Sequence, residues 1–95
     1  MLFIMKVPTT ASEASNVLDK LEVQAVEVMQ PTNRRRLGQR RNYLNSCYDQ
    51  VQLVANLHAN KGDKKWEAIA TRVSNDKQIL AVTKEQMQLN DITLY

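Results

Sequence analysis

The chain has 95 residues, of which 43% are hydrophobic and 24% are charged, and its formal net charge is +3 at pH 7. This length and composition are those of one globular domain and exclude a disordered tail. Cys47 is the only cysteine and His58 the only histidine, so neither a disulfide framework nor a four-ligand zinc site can form. Two glycines and two prolines supply few turns, which favours helices. We therefore expect one helical domain over residues 1–95.

The chain shows no signal for export or membrane insertion. The apolar residues 1–5 are followed by Lys6 and Pro8, and they are fewer than the about 7–15 residues of a signal-peptide core or the about 20 of a membrane span. A lone cysteine also suits a reducing compartment. We expect a cytoplasmic protein without membrane contact.

The first predicted helix covers residues 10–30. Thr10 and Glu13 have the Ser/Thr-x-x-Glu spacing of a capping box, which satisfies N–H groups at a helix start. Pro31 ends the helix because the residue before a proline avoids helical angles. The apolar residues form one stripe at helical spacing: Ala14, Val17, Leu18, Leu21, Ala25, Val28 and Met29.

The second predicted helix covers residues 33–60, with Thr32 or Asn33 as its N-cap. Alternating steps of four and three residues, typical of a coiled-coil hairpin, join Leu37, Arg41, Leu44, Tyr48, Val51, Ala55 and His58. Leu53 and Leu57 lie on the opposite side, so this helix needs a cover on two faces. The short connection between the two helices predicts that they are antiparallel neighbours.

The last third of the chain predicts shorter elements. Asp63 is the expected N-cap of a short helix, residues 74–76 resemble a turn, and residues 83–86 have a second capping pattern. The apolar face of the short helix contains Trp66, Ile69, Ala70 and Val73. The chain ends, residues 2–7 and 92–95, are rich in β-formers, which favours a small ribbon. The predicted fold is all-α: a long antiparallel helical hairpin with short C-terminal helices.

The side chains that carry out catalysis in enzymes are poorly placed here. Cys47 and His58 share a helix face but lie about 16 Å apart along the axis, whereas a thiol–imidazole pair needs roughly 3 Å. Asp19 and Glu22 fall on a polar helix surface, where carboxylates stay solvated and ionised. There is no glycine-rich phosphate loop. We expect no enzyme activity, no metal, no cofactor and no small-molecule substrate.

An arginine cluster is the most informative feature of the sequence. It consists of Arg34, Arg35, Arg36, Arg40 and Arg41. Residues 32–60 carry a net charge of +4 and residues 1–31 a net charge of −2. Cations are unfavourable at a helix N-terminus, and arginine is suited to binding phosphate or carboxylate. We predict a binding site for an anionic partner. In the alternative, Glu22 and Glu27 lie across the hairpin and neutralise Arg41 and Arg36, but two acids cannot offset five arginines.

Nucleic acid and an acidic protein surface are both candidate partners. Tyr43 is the aromatic residue near the arginines that is available for contact, since Tyr48 belongs to the hairpin seam. A second basic patch, some 35–40 Å away along the helix, consists of Lys61, Lys64 and Lys65. Residues 67–85 have some of the apolar spacing of a helix-turn-helix but lack its glycine turn, so ordinary packing is favoured.

Apolar residues outside the predicted core indicate a protein interface. They are Val23, Val26, Leu53, Leu57 and Trp66. We expect a homo-oligomer. The leading hypothesis is a small non-catalytic binding or regulatory protein whose arginines bind an anionic partner. The alternative is a structural or assembly protein, or a small protein inhibitor, acting through apolar helix faces. Size and charge also suit a phage or mobile-element accessory protein.

Overall fold

The computed structural model describes residues 6–28 and 37–93, with side chains for residues 6–28 and 40–81. These residues form three helices: α1 (Ala11–Val28), α2 (Leu37–Ala59) and α3 (Lys64–Thr93). None of the described residues is in a strand. This part of the chain is all-α, as predicted.

α1 begins with capping hydrogen bonds close to the predicted ones. The hydroxyl of Thr10 accepts the N–H of Glu13 at 3.1 Å. The Glu13 carboxylate accepts two hydrogen bonds from Thr9, from its N–H at 3.1 Å and from its hydroxyl at 3.2 Å. In a capping box the carboxylate would instead accept the N–H of Thr10. These hydrogen bonds lower the pKa of Glu13, so the start of α1 is stabilised by an ionised carboxylate.

The turn between α2 and α3 requires a glycine and uses the predicted cap. Gly62 has a φ of +89°, which residues with a side chain rarely adopt. The Asp63 carboxylate then accepts the N–H groups of Lys65 at 3.1 Å and Trp66 at 3.5 Å. The rings of His58 and Trp66 stack across the turn, with their centroids 4.6 Å apart. The turn therefore brings the end of α2 directly against the start of α3.

The hydrogen bonds between helices give the direction of each helix. In the described residues, hydrogen bonds between α2 and α3 include those of Arg41 to Leu80, Lys77 to Asp49, and Gln52 to Ser74. Because residue numbers rise along α2 as they fall along α3, these two helices are antiparallel. Between α1 and α3, Ser15 bonds to Arg72 and Glu22 lies beside Asp76, so these two helices run in the same direction. The connection between α1 and α2 lies outside the described residues.

The core combines the predicted stripe of α1 with the predicted seam of α2 and one face of α3. Its buried apolar members are Ala14, Leu18, Leu21, Ala25, Val28, Leu44, Cys47, Tyr48, Val51, Ala55, Trp66, Ile69, Val73 and Leu80. The interface between α2 and α3 is larger than the interface between α1 and α2. α2, for which the sequence predicts packing on two faces, is thus in contact with both α1 and α3. Leu53 and Leu57 remain on its outer face.

The single long α3 contradicts the prediction of short C-terminal helices. Residues 74–76, predicted as a turn, and residues 83–86, predicted as a new helix start, are interior to α3. Ser74 and Lys77 bond to α2, and Leu80 is only 2% exposed. These contacts need helical spacing, and tertiary packing outweighs the weak local preference for a turn. A continuous helix also leaves no turn for a helix-turn-helix.

The predicted ribbon of the chain ends is not confirmed. Ile92 and Thr93 belong to the last turn of α3, and Lys6 and Val7 are not in a strand. Backbone groups bonded within a helix cannot also pair in a sheet. The other residues of the two segments lie outside the described part of the chain.

Candidate functional site

An open cleft lies where the end of α1 meets the first turns of α2. Its volume is about 460 Å³, and it is lined by Gln24, Glu27, Val28, Arg40, Tyr43 and Leu44. Val28 and Leu44 are each 1% exposed and form its apolar floor. Gln24, Glu27 and Arg40 are exposed and form its polar rim. An apolar floor with a few polar groups around it is typical of binding sites.

The cleft brings together two residues of the predicted anionic-partner site, Arg40 and Tyr43. They are three positions apart, so they lie on one side of α2. Tyr43 is half-buried, and burial, together with the neighbouring Cys47, raises the pKa of its phenol. The phenol therefore stays neutral near pH 7, and it forms a hydrogen bond with the thiol of Cys47. Glu27 lies on the same rim, so the cleft carries charges of both signs.

Arg41, also predicted in this site, lies in the core instead. It is 5% exposed, and its Nη1 donates a hydrogen bond of 2.7 Å to the carbonyl oxygen of Leu80. Burial lowers the pKa of its guanidinium. We leave Arg41 out of the surface site, because its position in the apolar seam faces α3. Its role is to join α2 and α3.

The other three predicted arginines, Arg34, Arg35 and Arg36, lie outside the described residues. Glu22, which the alternative paired with Arg41, bonds to Arg72 of α3. Glu27, which the alternative paired with Arg36, lies on the cleft rim.

The second basic patch is exposed at the opposite end of α2. Lys61, Lys64 and Lys65 are all on the surface. The 19 residues from Arg40 to the end of α2 at Ala59 span about 28 Å at 1.5 Å per residue. The two basic regions therefore cannot share one compact groove in a single copy of the chain.

Four of the five predicted interface residues are exposed. Leu53 is 64%, Leu57 57%, Val23 61% and Val26 55% exposed. Trp66 is only 4% exposed and packs on His58. We leave Trp66 out of the interface, because its ring fills the core at the α2–α3 turn.

Five polar residues form a group between α1 and α3 that we call the Arg72 cluster: Ser15, Asp19, Glu22, Arg72 and Asp76. Arg72 donates from Nε and Nη2 to the two Glu22 oxygens, at 3.0 and 2.6 Å. Its Nη2 also donates to Asp19 at 2.5 Å and its Nη1 to Ser15 at 3.2 Å. These hydrogen bonds raise the pKa of Arg72 further and lower that of Glu22. Arg72 therefore joins two turns of α1 to α3.

Asp76 is the unusual member of this cluster. Burial, followed by the hydrogen bond and charge of Glu22, raises its pKa to about 7. Its Oδ2 atom is buried without a hydrogen-bond partner. A small cavity of about 130 Å³ beside it is lined by Glu22, Ala25, Val26, Tyr48, Asp76, Ile79 and Leu80. A protonated Asp76 can donate to Glu22, whereas two ionised carboxylates would repel each other.

The sequence analysis missed this cluster, although its signal is visible afterwards. Ser15, Asp19 and Glu22 are spaced by four and three residues, so they form a polar line beside the apolar stripe of α1. Arg72 and Asp76 are spaced by four in α3. Sequence reasoning assigned Asp19 and Glu22 to solvent because it predicted no helix through Arg72 and Asp76 that faced them.

The remaining chemistry-bearing groups do not form a further site in the described residues. Cys47 is 1% exposed, and burial raises the pKa of its thiol, which disfavours the reactive thiolate. The described part of the chain contains no group of His, Cys, Asp and Glu arranged to hold a metal ion. None of the helices, over their described residues, combines the length and apolar character needed to cross a membrane.

Comparison with models of protein families, with curated proteins and with solved structures found no match to this chain.

Proposed function

We propose that the chain is a small non-catalytic binding protein that engages an anionic partner at the cleft between α1 and α2. The observation that supports this most is the exposed guanidinium of Arg40 beside Tyr43 in an open cleft of about 460 Å³. Arg34, Arg35 and Arg36 precede this cleft along the chain. Arginine binds phosphate through paired hydrogen bonds.

Nucleic acid is the favoured partner, and an acidic protein surface is the other candidate. Clustered arginines match the closely spaced phosphates of a nucleic acid, and such binding weakens steeply with salt. The half-buried Tyr43 lines the cleft and supplies an aromatic side chain, the residue type on which bases stack. We also infer the antiparallel hairpin of α1 and α2 and a cytoplasmic location, as the sequence predicts.

Charge reversal at Arg40 tests this proposal. Binding of a fluorescent oligonucleotide is measured by anisotropy at 50 and 200 mM salt for the parent, Arg40→Glu and Lys20→Glu. Lys20 is exposed on α1 and is not among the residues that line the cleft, and its variant matches the change in net charge. We expect Arg40→Glu to weaken binding about tenfold. We also expect it to lower by about one the slope of the logarithm of the binding constant against the logarithm of the salt concentration.

Each result of this experiment bears on the proposal. Equal losses in the Arg40 and Lys20 variants would show a response to net charge alone and overturn the cleft as the site. A variant with both Arg35→Glu and Arg36→Glu tests whether the arginines before the cleft contribute to binding. If this variant binds as tightly as the parent, the site is limited to the cleft. Preference for an acidic peptide over the oligonucleotide would identify the partner as a protein.

A second candidate function is assembly, or inhibition of another protein, through apolar helix faces. Its support is the exposure of Leu53 and Leu57 on one side of α2. A homo-oligomer is the simplest form of such an assembly.

A further inference from the structure

The outer face of α2 carries a second line of residues at coiled-coil spacing. The line consists of Ser46, Gln50, Leu53, Leu57 and Asn60, with alternating steps of four and three. The N–H of Asn60 still bonds to the carbonyl of Asn56 at 2.9 Å, so the helical path continues to the end of the line. We call this line the outer seam. It lies on the side of α2 opposite the buried Tyr48 and Val51.

The outer seam is free of charged side chains. Between residues 42 and 60 the only acid is Asp49, and Lys77 of α3 donates to it at 2.5 Å. The exposed valine Val23 on α1 has charged neighbours, since Lys20 and Glu27 lie one turn away on either side. A surface that contacts its own copy must not repel itself, and the outer seam meets this condition better than α1 does.

We propose that two copies of the chain associate through the outer seam, with their α2 helices antiparallel around a two-fold axis level with Ala55. In this register Leu53 packs against Leu57 of the second copy, and the reverse contact completes a cluster of four leucines. Gln50 then lies opposite Asn60 of the second copy, where their amides can exchange hydrogen bonds. In this register every residue of the seam except the small Ser46 has a partner in the second copy.

Charge favours the antiparallel arrangement over a parallel one. A parallel pair would place the two Arg40 residues at the same level along the axis. The antiparallel pair separates Arg40 from Lys61 of the second copy by about 13 Å along the axis, which exceeds the Debye length of about 8 Å at physiological salt. Repulsion between the basic ends is therefore smaller.

The size of the seam predicts a weak dimer. From Ser46 to Asn60 it is about 21 Å long and about 10 Å wide. Such a contact buries roughly 400–800 Å² over both copies, less than the about 1,200 Å² at the lower limit of stable complexes. Dimerisation should therefore depend on concentration between tens and hundreds of micromolar. It rests on the second candidate function, assembly through the outer face of α2, and not on an anionic partner, so failure of the oligonucleotide experiment leaves it standing.

Sedimentation equilibrium from about 10 µM to 1 mM tests the association in the absence of other molecules. Leu53→Asp should raise the dimer dissociation constant at least about tenfold, because it buries a charge against leucine. Val23→Asp is the matched control: Val23 is 61% exposed and Leu53 64%, and we expect a change of less than about twofold. Circular dichroism checks that both variants fold.

Cysteine crosslinking tests the orientation. In a Cys47→Ser background, Gln50→Cys and Asn60→Cys are prepared as separate proteins and oxidised alone or mixed. The antiparallel register brings these two positions within the about 7 Å between Cα atoms that a disulfide spans. The mixture should give a covalent dimer of the two variants, and each variant alone should give little.

Three results would overturn the proposal. They are a monomeric parent protein up to about 1 mM, an equal effect of Val23→Asp and Leu53→Asp, and crosslinking of each cysteine variant with itself in preference to the mixture. The last result would indicate parallel pairing.

Discussion

At the scale of single residues, Asp76 faces Glu22 across the interface of α1 and α3, and its pKa of about 7 lies well above the usual 3.8. At pH values between 3.8 and about 7, Asp76 holds a proton in the folded protein but has lost it in the unfolded chain. The free energy of unfolding therefore falls as the pH rises through this window and levels off above pH 7. Glu22 has the opposite effect, because its pKa is lowered from 4.5 and its stabilising charge is lost as the pH falls below that value.

Replacing Asp76 with asparagine tests this account. Urea unfolding at pH 5 and pH 8 should show a parent protein less stable at pH 8 by about 1–2 kcal/mol, allowing for screening at a partly exposed site. Asp76→Asn should remove most of this difference. Asp49→Asn is the control, because Asp49 is an exposed carboxylate paired with a lysine. An equal pH dependence in the parent and Asp76→Asn would contradict the assignment.

At the scale of elements, the continuity of α3 determines which surfaces exist. Ser74 and Asp76 are residues that favour turns, yet both make contacts to other helices from inside α3. An uninterrupted helix places Arg72 and Asp76 toward α1 and Lys77 toward α2 at the same time. A turn at this point would separate these contacts, so the Arg72 cluster depends on the length of α3.

Proline at position 75 distinguishes the continuous helix from a turn. Asn75 is exposed, so a substitution there changes few contacts. Asn75→Pro should lower the free energy of unfolding by about 3 kcal/mol or more, because it removes a helical hydrogen bond and clashes with the preceding turn. Asn75→Ala should raise it by about 0.5 kcal/mol. Circular dichroism with urea measures both, and a well-tolerated proline would show that α3 is interrupted.

At the scale of the whole molecule, exposed basic side chains lie at both ends of α2. Arg40 is at one end of α2 and Lys61 and Lys64 at the other, while Asp19 and Glu22 lie near the middle of the bundle. The molecule measures 51 × 25 × 17 Å. A long polyanion is therefore able to contact both ends, whereas a short one contacts the arginine end alone if the proposed function holds.

Duplex length tests this arrangement. A 24-base-pair duplex is about 80 Å long, whereas the stem of a 5-base-pair hairpin, about 17 Å long, is too short to reach both basic ends. Lys61→Glu combined with Lys64→Glu should weaken binding of the long duplex several-fold and change binding of the hairpin little. Anisotropy at constant salt measures both. Equal weakening for the duplex and the hairpin would indicate that the lysine end is the main binding surface.

The sequence alone determined the all-helical composition of the described part, the stripe of α1 and the seam of α2. Helical periodicity and capping are local properties, so Thr10, Asp63 and Leu44 have the roles that their neighbours in the chain predict. The sequence also places Leu53 and Leu57 on the side of α2 opposite the seam and outside the predicted core, and both are exposed.

Only the tertiary structure decided the length of α3, the burial of Arg41 and Trp66, and the Arg72 cluster. The local preference for a turn at residues 74–76 is weak, and contacts with residues some 20 to 50 positions away in the chain outweigh it. Arg41 stands in an apolar seam, but its partner is a backbone carbonyl of α3, which no pattern in the sequence identifies. The charge of a side chain is visible in the sequence, whereas the group that faces it is a property of the folded chain.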